Sequence, residues 1–301
     1  MPDHSPKPFA QGVAAARVAM VVPVHNRKDT TIAFVRRIRA SLRNGHSLIV
    51  VDDGSVDGTT AALKSECPDA VILEGNGSLW WAGATNRGVE YALKYGFDYV
   101  LTINDDAIPE DEFLDRLLET ARERPRAIVG AMLVYASDPS RVWACGGRVC
   151  YWSGKLFQHY LHGRTVEEAR AGDRLHAVEI LPGCGVLVPT AVYRDIGTYD
   201  ASRFPQYHAD SEFTLRAHRR GYEVLVDTES VVANDVAKTA LWRGWRAAFL
   251  HKGSPFYLPA ITGILRYAPS PLAAVVALPT YMCRVVIDRL LRISGLRSCT
   301  A

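Results

Sequence analysis

The chain has 301 residues, 48% hydrophobic and 22% charged, with a formal net charge of +3. This allows one large globular domain with an appendage, or two small ones, and excludes a disordered or fibrous chain. The six cysteines (Cys67, Cys145, Cys150, Cys184, Cys283 and Cys299) form no Cys-x-x-Cys pair, which argues against a zinc site or disulfide framework and for free thiols in a reducing compartment.

The N-terminal stretch "MPDHSPKPFAQGVAAAR" lacks the long apolar core of a secretory signal and reads as a disordered leader, residues 1–17. "RVAMVVPVHN" is a β-rich run of strand length. "DTTIAFVRRIRASL" predicts a helix with Ile32, Val35, Ile38 and Leu42 on one face. "HSLIVVDDGS" and "AVILEG" read as further strands, separated by the helical "DGTTAALKSE". "TNRGVEYALKYG" is helical up to Gly96, and "DYVLTIND" is a fourth strand, which Pro109 stops from continuing. The stripe Phe113, Leu114, Leu117, Leu118 and Ala121 marks another helix. Continuous apolar strands alternating with amphipathic helices predict an α/β fold with a mostly parallel sheet covered on both faces.

Beyond Ala131 the pattern is less regular. "CGGRVCYWSGK" suggests a hairpin, two apolar runs surround Gly183-Cys184-Gly185, and a helix beginning near Asp210 and ending at Gly221 precedes a last strand. From Lys238 to Ala301 nine Lys or Arg accompany one acid, Asp288, whereas the preceding residues hold 26 basic and 31 acidic side chains. This basic tail points to an anionic membrane surface, not to nucleic acid. Its uncharged run, Ala268 to Cys283, is shorter than the ~20 residues of a spanning helix and suits an interfacial amphipathic one.

Three strands end in polar clusters: His25-Asn26, Asp52 to Ser55, and Asn104 to Asp106. In a parallel sheet these meet at one edge, where ligands bind. Adjacent Asp105 and Asp106 repel one another unless a cation or basic partner lies close, although a solvated turn explains them as well. For a nucleotide-linked ligand, Asp52 or Asp53 suits base and ribose, and the Asn104 to Asp106 spacing suits a divalent cation bridging phosphates. Asp52 to Gly58 lacks the closing Glu of a calcium loop. Transfer to a hydroxyl also needs a general base, for which Asp210, followed by Glu212, is the candidate, although Asp also suits a helix cap.

"VVPVHNR", "VVDDGSVDGT", "GATNRGVEYAL", "INDD" and "PGCGVLVPTAVYRDIGTYD…HADSEFTLRAHRRGY" together resemble glycosyltransferase family 2, inverting enzymes of the GT-A fold. "GNGSLWWAGATNRG" is similar to bacterial members that add rhamnose or related sugars to cell-envelope polysaccharides. The resemblance implies a catalytic domain over residues 18–236, a basic helical tail over 237–301, and Mg²⁺ or Mn²⁺ held by Asp106. It implies a nucleotide-diphosphate sugar contacted by Pro23, His25, Asn26, Asp52, Asp53, Asn86, Asn104, Asp105 and Gly183. Asp210 becomes the base, with Trp81 and Glu212 toward a saccharide or lipid-linked acceptor, at the cytoplasmic face of the membrane. The sequence departs from the family in placing Ala209 where Glu often precedes the base and Asn234 where a metal-side His is common. The absence of Gln-x-x-Arg-Trp argues for a single, non-processive transfer. A nucleotidyltransferase and a non-catalytic binding module are the competing expectations.

Overall fold

The computed structural model describes residues 16–42, 45–234 and 244–293. In chain order the elements are β1 (Val18–Val24), α1 (Lys28–Ile38), β2 (Ser47–Asp52), α2 (Thr59–Glu66), β3 (Val71–Glu74), α3 (Trp80–Lys94) and β4 (Tyr99–Thr102). Then come β5 (Ile108–Pro109), α4 (Phe113–Glu123), β6 (Ile128–Tyr135), β7 (Asp138–Ala144), β8 (Gly147–Val149), β9 (Phe157–His159), α5 (Val166–Arg170) and β10 (Leu175–Ala177). The remainder is β11 (Val186–Pro189), α6 (Thr190–Ile196), α7 (Ala209–Arg219), β12 (Val224–Asn234), α8 (Trp245–Leu250), α9 (Leu258–Leu265) and α10 (Pro271–Ile293).

The main sheet has the order β10-β12-β6-β11-β4-β1-β2-β3. β3, β2, β1 and β4 run parallel, as continuous apolar strands buried on both faces require. Alternate residues serve opposite layers: Ala19 and Val21 join the core containing Ala84 and Val89 of α3, while Met20 and Val22 join Phe34 of α1 and Leu117 of α4. Gly88 lets α3 settle on β1, since a Cβ there would lie 2.3 Å from Val21 Cγ1.

β11 enters antiparallel between β4 and β6. Its amino end therefore reaches the edge where the parallel strands finish, bringing Gly183 to Gly185 beside them. β8 and β9 form the expected hairpin. Pro109 does not end strand structure: Ile108 and Pro109 pair with Ala233 and Val232 of β12. An edge position tolerates the missing proline N–H.

Most of the expected leader, residues 1–15, lies outside the described residues, as does the expected boundary at residue 236. Arg17 is already tied down, its backbone N–H donating to Asp98 Oδ2 at 2.8 Å. From Gly244 onward the tail packs on the α/β body. Ala260, Ile261 and Ile264 of α9 are buried, and Gly263 sits where a Cβ would lie 2.6 Å from the Phe204 ring. α10 buries Ala273, Ala277 and Val285 but leaves Leu272, Val275, Ile287 and Leu290 exposed. The helix itself continues past the uncharged run: Arg284 pairs with Asp288 one turn on at 3.8 Å, and Pro271–Leu291, these charges included, is long and apolar enough to cross a membrane by length and composition.

Candidate active site

The first two strand-end clusters are locked to each other. His25 Nδ1 lies 2.6 Å from the carbonyl of Asp53, and Asn26 Nδ2 donates to His25 Nε2 at 2.9 Å, so the ring proton sits on Nδ1. Asn26 Oδ1 accepts the N–H of Val56 at 2.8 Å. Asp52 Oδ1 accepts the N–H of Ser55 at 2.9 Å, and its other oxygen accepts from the Thr60 hydroxyl. Asp53 receives three backbone N–H groups, from Gly77 at 2.8 Å, Leu79 at 2.8 Å and Trp80 at 3.1 Å. It thereby starts α3 earlier than the sequence suggests and fixes the loop after β3. Gly75 has no room for a side chain, its Cβ position being 2.5 Å from Asp53 Oδ1. Pro23 precedes this loop, paired in register with Val51.

The third cluster is built around an arginine that sequence reasoning passed over. Asp105 is 3% exposed; its Oδ2 accepts the Thr31 hydroxyl at 2.8 Å and its Oδ1 lies 3.4 Å from Arg27 Nε. Burial pushes the Asp105 carboxyl up to about 6, against the opposing pull of Arg27. Asp106 Oδ2 accepts from Arg27 Nη2 at 2.9 Å, while its Oδ1 is buried without a partner. Arg27 ends the quoted "VVPVHNR" motif, and that position beside a strand end was the available signal.

Trp81 carries the connection onward. Its indole N–H donates to Asn104 Oδ1 at 2.9 Å and its backbone N–H to Gln206 Oε1 at 3.2 Å. The indole edge lies where a Cβ on Gly183 would fall, 2.7 Å away, and the Asp210 Cβ is 3.1 Å from the same point. Gly183 donates its N–H to Asp210 Oδ2 at 2.6 Å, and Ser211 N–H donates to Asp210 Oδ1 at 2.7 Å. Asp210, Gly183, Trp81, Asn104 and the Asp105–Asp106 pair thus form one continuous wall. Asn26, Trp80 and His208 adopt positive φ (52°, 58° and 67°) beside it, a form of backbone strain that concentrates at functional sites.

Two expected site residues are used elsewhere. Asn86 accepts the N–H of Tyr199 at 2.9 Å and donates to its carbonyl at 2.8 Å, so both ends of its amide hold a loop rather than face a donor. Glu212 is 1% exposed, paired with Arg216 at 3.1 Å and accepting the Tyr267 hydroxyl, so it fastens the tail to α7 rather than meeting an acceptor. Its buried charge requires such partners.

Among the described residues no group of three His, Cys, Asp or Glu gathers as a metal cage. The unpartnered buried Oδ1 of Asp106 nevertheless fits a hard cation whose remaining ligands come from a phosphate-bearing substrate and water. Cys184 is no candidate: burial pushes its thiol up to about 12.

A family model described as Glycosyl transferase family 2 matches residues 19–175. The chain is 25% identical over 168 residues to an undecaprenyl-phosphate mannosyltransferase of Micrococcus luteus, covering 55% of this chain and 68% of that protein. It is 25% identical over 170 residues to a polyprenol monophosphomannose synthase of Mycolicibacterium smegmatis, covering 55% and 63%. It is 26% identical over 248 residues to the galactofuranosyltransferase GlfT1 of the same organism, covering 82% and 74%. Among solved structures, GalNAc-T7 with UDP, GalNAc and Mn²⁺ superposes with a TM-score of 0.60 at 12% identity, over 83% of this chain and 47% of that one. S. aureus TarS 1-349 superposes with a TM-score of 0.54 at 14% identity, over 88% and 70%.

Proposed function

Because the chain belongs to glycosyl transferase family 2, we propose that it moves one sugar from a nucleoside-diphosphate donor to a hydroxyl of a saccharide or lipid-linked acceptor, in the making of cell-envelope polysaccharide. The observation that carries this reading is the continuous wall from Asp210 through Gly183, Trp81 and Asn104 to Asp106. It sets a carboxylate suited to proton removal at one end and a carboxylate with a vacant oxygen suited to a phosphate-bound cation at the other.

Asp53, Asp52, His25, Asn26 and Pro23 shape the loop that receives base and ribose, with Gly183 letting the donor approach the backbone. The two N–H groups on Asp210 fix its carboxylate, which takes the proton of the attacking hydroxyl. The acceptor oxygen bonds to the anomeric carbon as the bond to the diphosphate oxygen breaks on the opposite side, giving inversion. Asp106 would hold Mg²⁺ or Mn²⁺ through its free oxygen, and the ion when bound would supply Lewis-acid stabilisation of the departing diphosphate.

The relatives named for undecaprenyl-phosphate and polyprenol substrates support a membrane-bound acceptor. The exposed apolar face of α10 supports a peripheral position on the membrane, which we place at its cytoplasmic face.

The test is thermal stability against a panel of nucleoside diphosphates and sugar nucleotides, with and without Mn²⁺. A donor that stabilises the wild type only with Mn²⁺, and no longer does so in Asp106→Ala, supports the reading. No stabilisation by any donor, or a response indifferent to Asp106, overturns it.

A further inference from the structure

We propose that Arg27 makes cation binding at Asp106 conditional on a bound diphosphate. The proposal rests on the reading that a cation and a diphosphate meet at Asp106, and adds the residue that couples them.

Arg27 occupies the N-terminal boundary of α1, directly after the β1 strand end, and its side chain crosses to the β4 strand end. There Nη2 meets Asp106 Oδ2 at 2.9 Å and Nε lies 3.4 Å from Asp105 Oδ1. Asp105 is anchored in turn by the Thr31 hydroxyl at 2.8 Å, one turn along the same helix. The guanidinium is therefore built into the site from both sides. It is 37% exposed, against 3% for Asp105 and 21% for Asp106, so it forms the solvent side of the cluster.

Two consequences follow from charge alone. Two carboxylates and one guanidinium sum to a single negative charge, a weak attraction for a divalent cation that must also approach a fixed positive group. A diphosphate adds negative charge to the same place, so the guanidinium and the cation then share its neutralisation instead of repelling across an empty site. The unpartnered Oδ1 leaves Asp106 an oxygen for the cation while Oδ2 stays with Arg27. By linkage, the part of Arg27's cost to the cation that the diphosphate relieves appears as cooperativity between cation and nucleotide.

The experiment compares Mn²⁺ binding to nucleotide-free protein, followed by the electron paramagnetic resonance of free Mn²⁺, for wild type, Arg27→Gln, Arg27→Lys and the double variant Arg27→Gln/Asp106→Asn. Arg27→Gln is expected to bind Mn²⁺ alone at least tenfold more tightly than wild type. Arg27→Lys, which keeps the charge, is expected to stay near wild type, and the double variant to lose the gain. Equal or weaker Mn²⁺ binding by Arg27→Gln overturns the proposal. So does a gain that survives Asp106→Asn, or one that Arg27→Lys shows equally. Stabilisation of wild type, but not Asp106→Ala, by a nucleoside diphosphate with Mn²⁺ reports separately on the reading beneath it, so the two can fail independently.

Discussion

Asp210 is placed before any acceptor arrives, by the N–H groups of Gly183 and Ser211. On the proposed reading, replacing it with Ala removes the proton acceptor without touching the Asp52–Asp53 loop. Turnover in the presence of donor and acceptor is expected to fall by about 10²–10⁴, while the donor-induced rise in melting temperature persists. A variant turning over at the wild-type rate would remove the base assignment. Beside it, burial lowers the His208 pKa; the ring stacks on Phe157 at 4.3 Å and meets the Pro255 carbonyl at 2.8 Å. A histidine whose folded pKa lies below its unfolded value of about 6.5 contributes stability above that pH and loses it as pH falls through the folded value. Urea unfolding at pH 7.5 and 5.5 is therefore expected to show a loss of stability on acidification that is smaller in His208→Asn, where Asn also suits the positive φ. The same residues show what sequence can carry. Asp210 was legible as a candidate because it stands at a helix start, is followed by Glu212 and falls on the family motif. The bonds of Asn86 to Tyr199 and of Glu212 to Tyr267 join positions 113 and 55 residues apart, and no local pattern specifies such pairs.

At the scale of elements, the parallel half of the sheet was legible because strands buried on both faces must be continuously apolar, and β1 has no exposed residue from Val18 to Val22. What was not legible depended on distant capping and pairing. α3 begins at Trp80 because Asp53 accepts the N–H groups of Leu79 and Trp80 from the end of another strand. β5 exists because β12 offers it an edge, not because Ile108 and Pro109 favour a strand. The α1 face likewise differs from its expected stripe: Thr31, Phe34, Val35 and Ile38 are buried, since Thr31 turns inward to Asp105. Packing of α3 on β1 predicts that Gly88→Ala destabilises the fold. The added methyl meets Val21 within 2.3 Å, and overpacking of about 1–3 kcal/mol outweighs or offsets a helix-propensity gain of about 1 kcal/mol. The urea midpoint should fall, and Gly88→Ser should lower it further. A second element-level prediction concerns β10, whose preceding residue Arg174 pairs at 2.9 Å with the fully buried Asp227 of β12. Asp227→Ala removes the acceptor of the Thr120 hydroxyl and the buried partner of Arg174, which keeps Glu119 at 3.4 Å. A loss of about 1–3 kcal/mol is expected by denaturant titration.

For the whole molecule, the proposed lipid-linked acceptor raises the question of how the candidate site meets a membrane. α10 is 23 residues, about 35 Å at 1.5 Å per residue, which is length enough to cross a bilayer. Crossing would strip Ala273, Ala277 and Val285 from the body they are buried against. It would also take Arg284, Asp288 and Arg289 into hydrocarbon, at a cost of about 2.5–3.5 kcal/mol for each charge near the centre. A helix lying in the interface keeps that packing and uses the side that is already bare. Val275 is 70% exposed and Ile287 54%, three turns apart on the outward side. The tail is also joined to α7 through Tyr267 on Glu212, and through Arg219 Nη2 on the Tyr267 carbonyl at 3.0 Å. A surface that seats α10 therefore sets the orientation of α7, which carries Asp210 in its first turn. Co-sedimentation with anionic phosphatidylglycerol vesicles is expected for the wild type. Val275→Glu/Ile287→Glu should reduce it at least tenfold with an unchanged melting temperature, because neither side chain contributes to the core. Binding that withstands alkaline carbonate extraction would instead mean that α10 leaves the body and spans. Binding unaffected by the two substitutions would move the contact to another part of the chain.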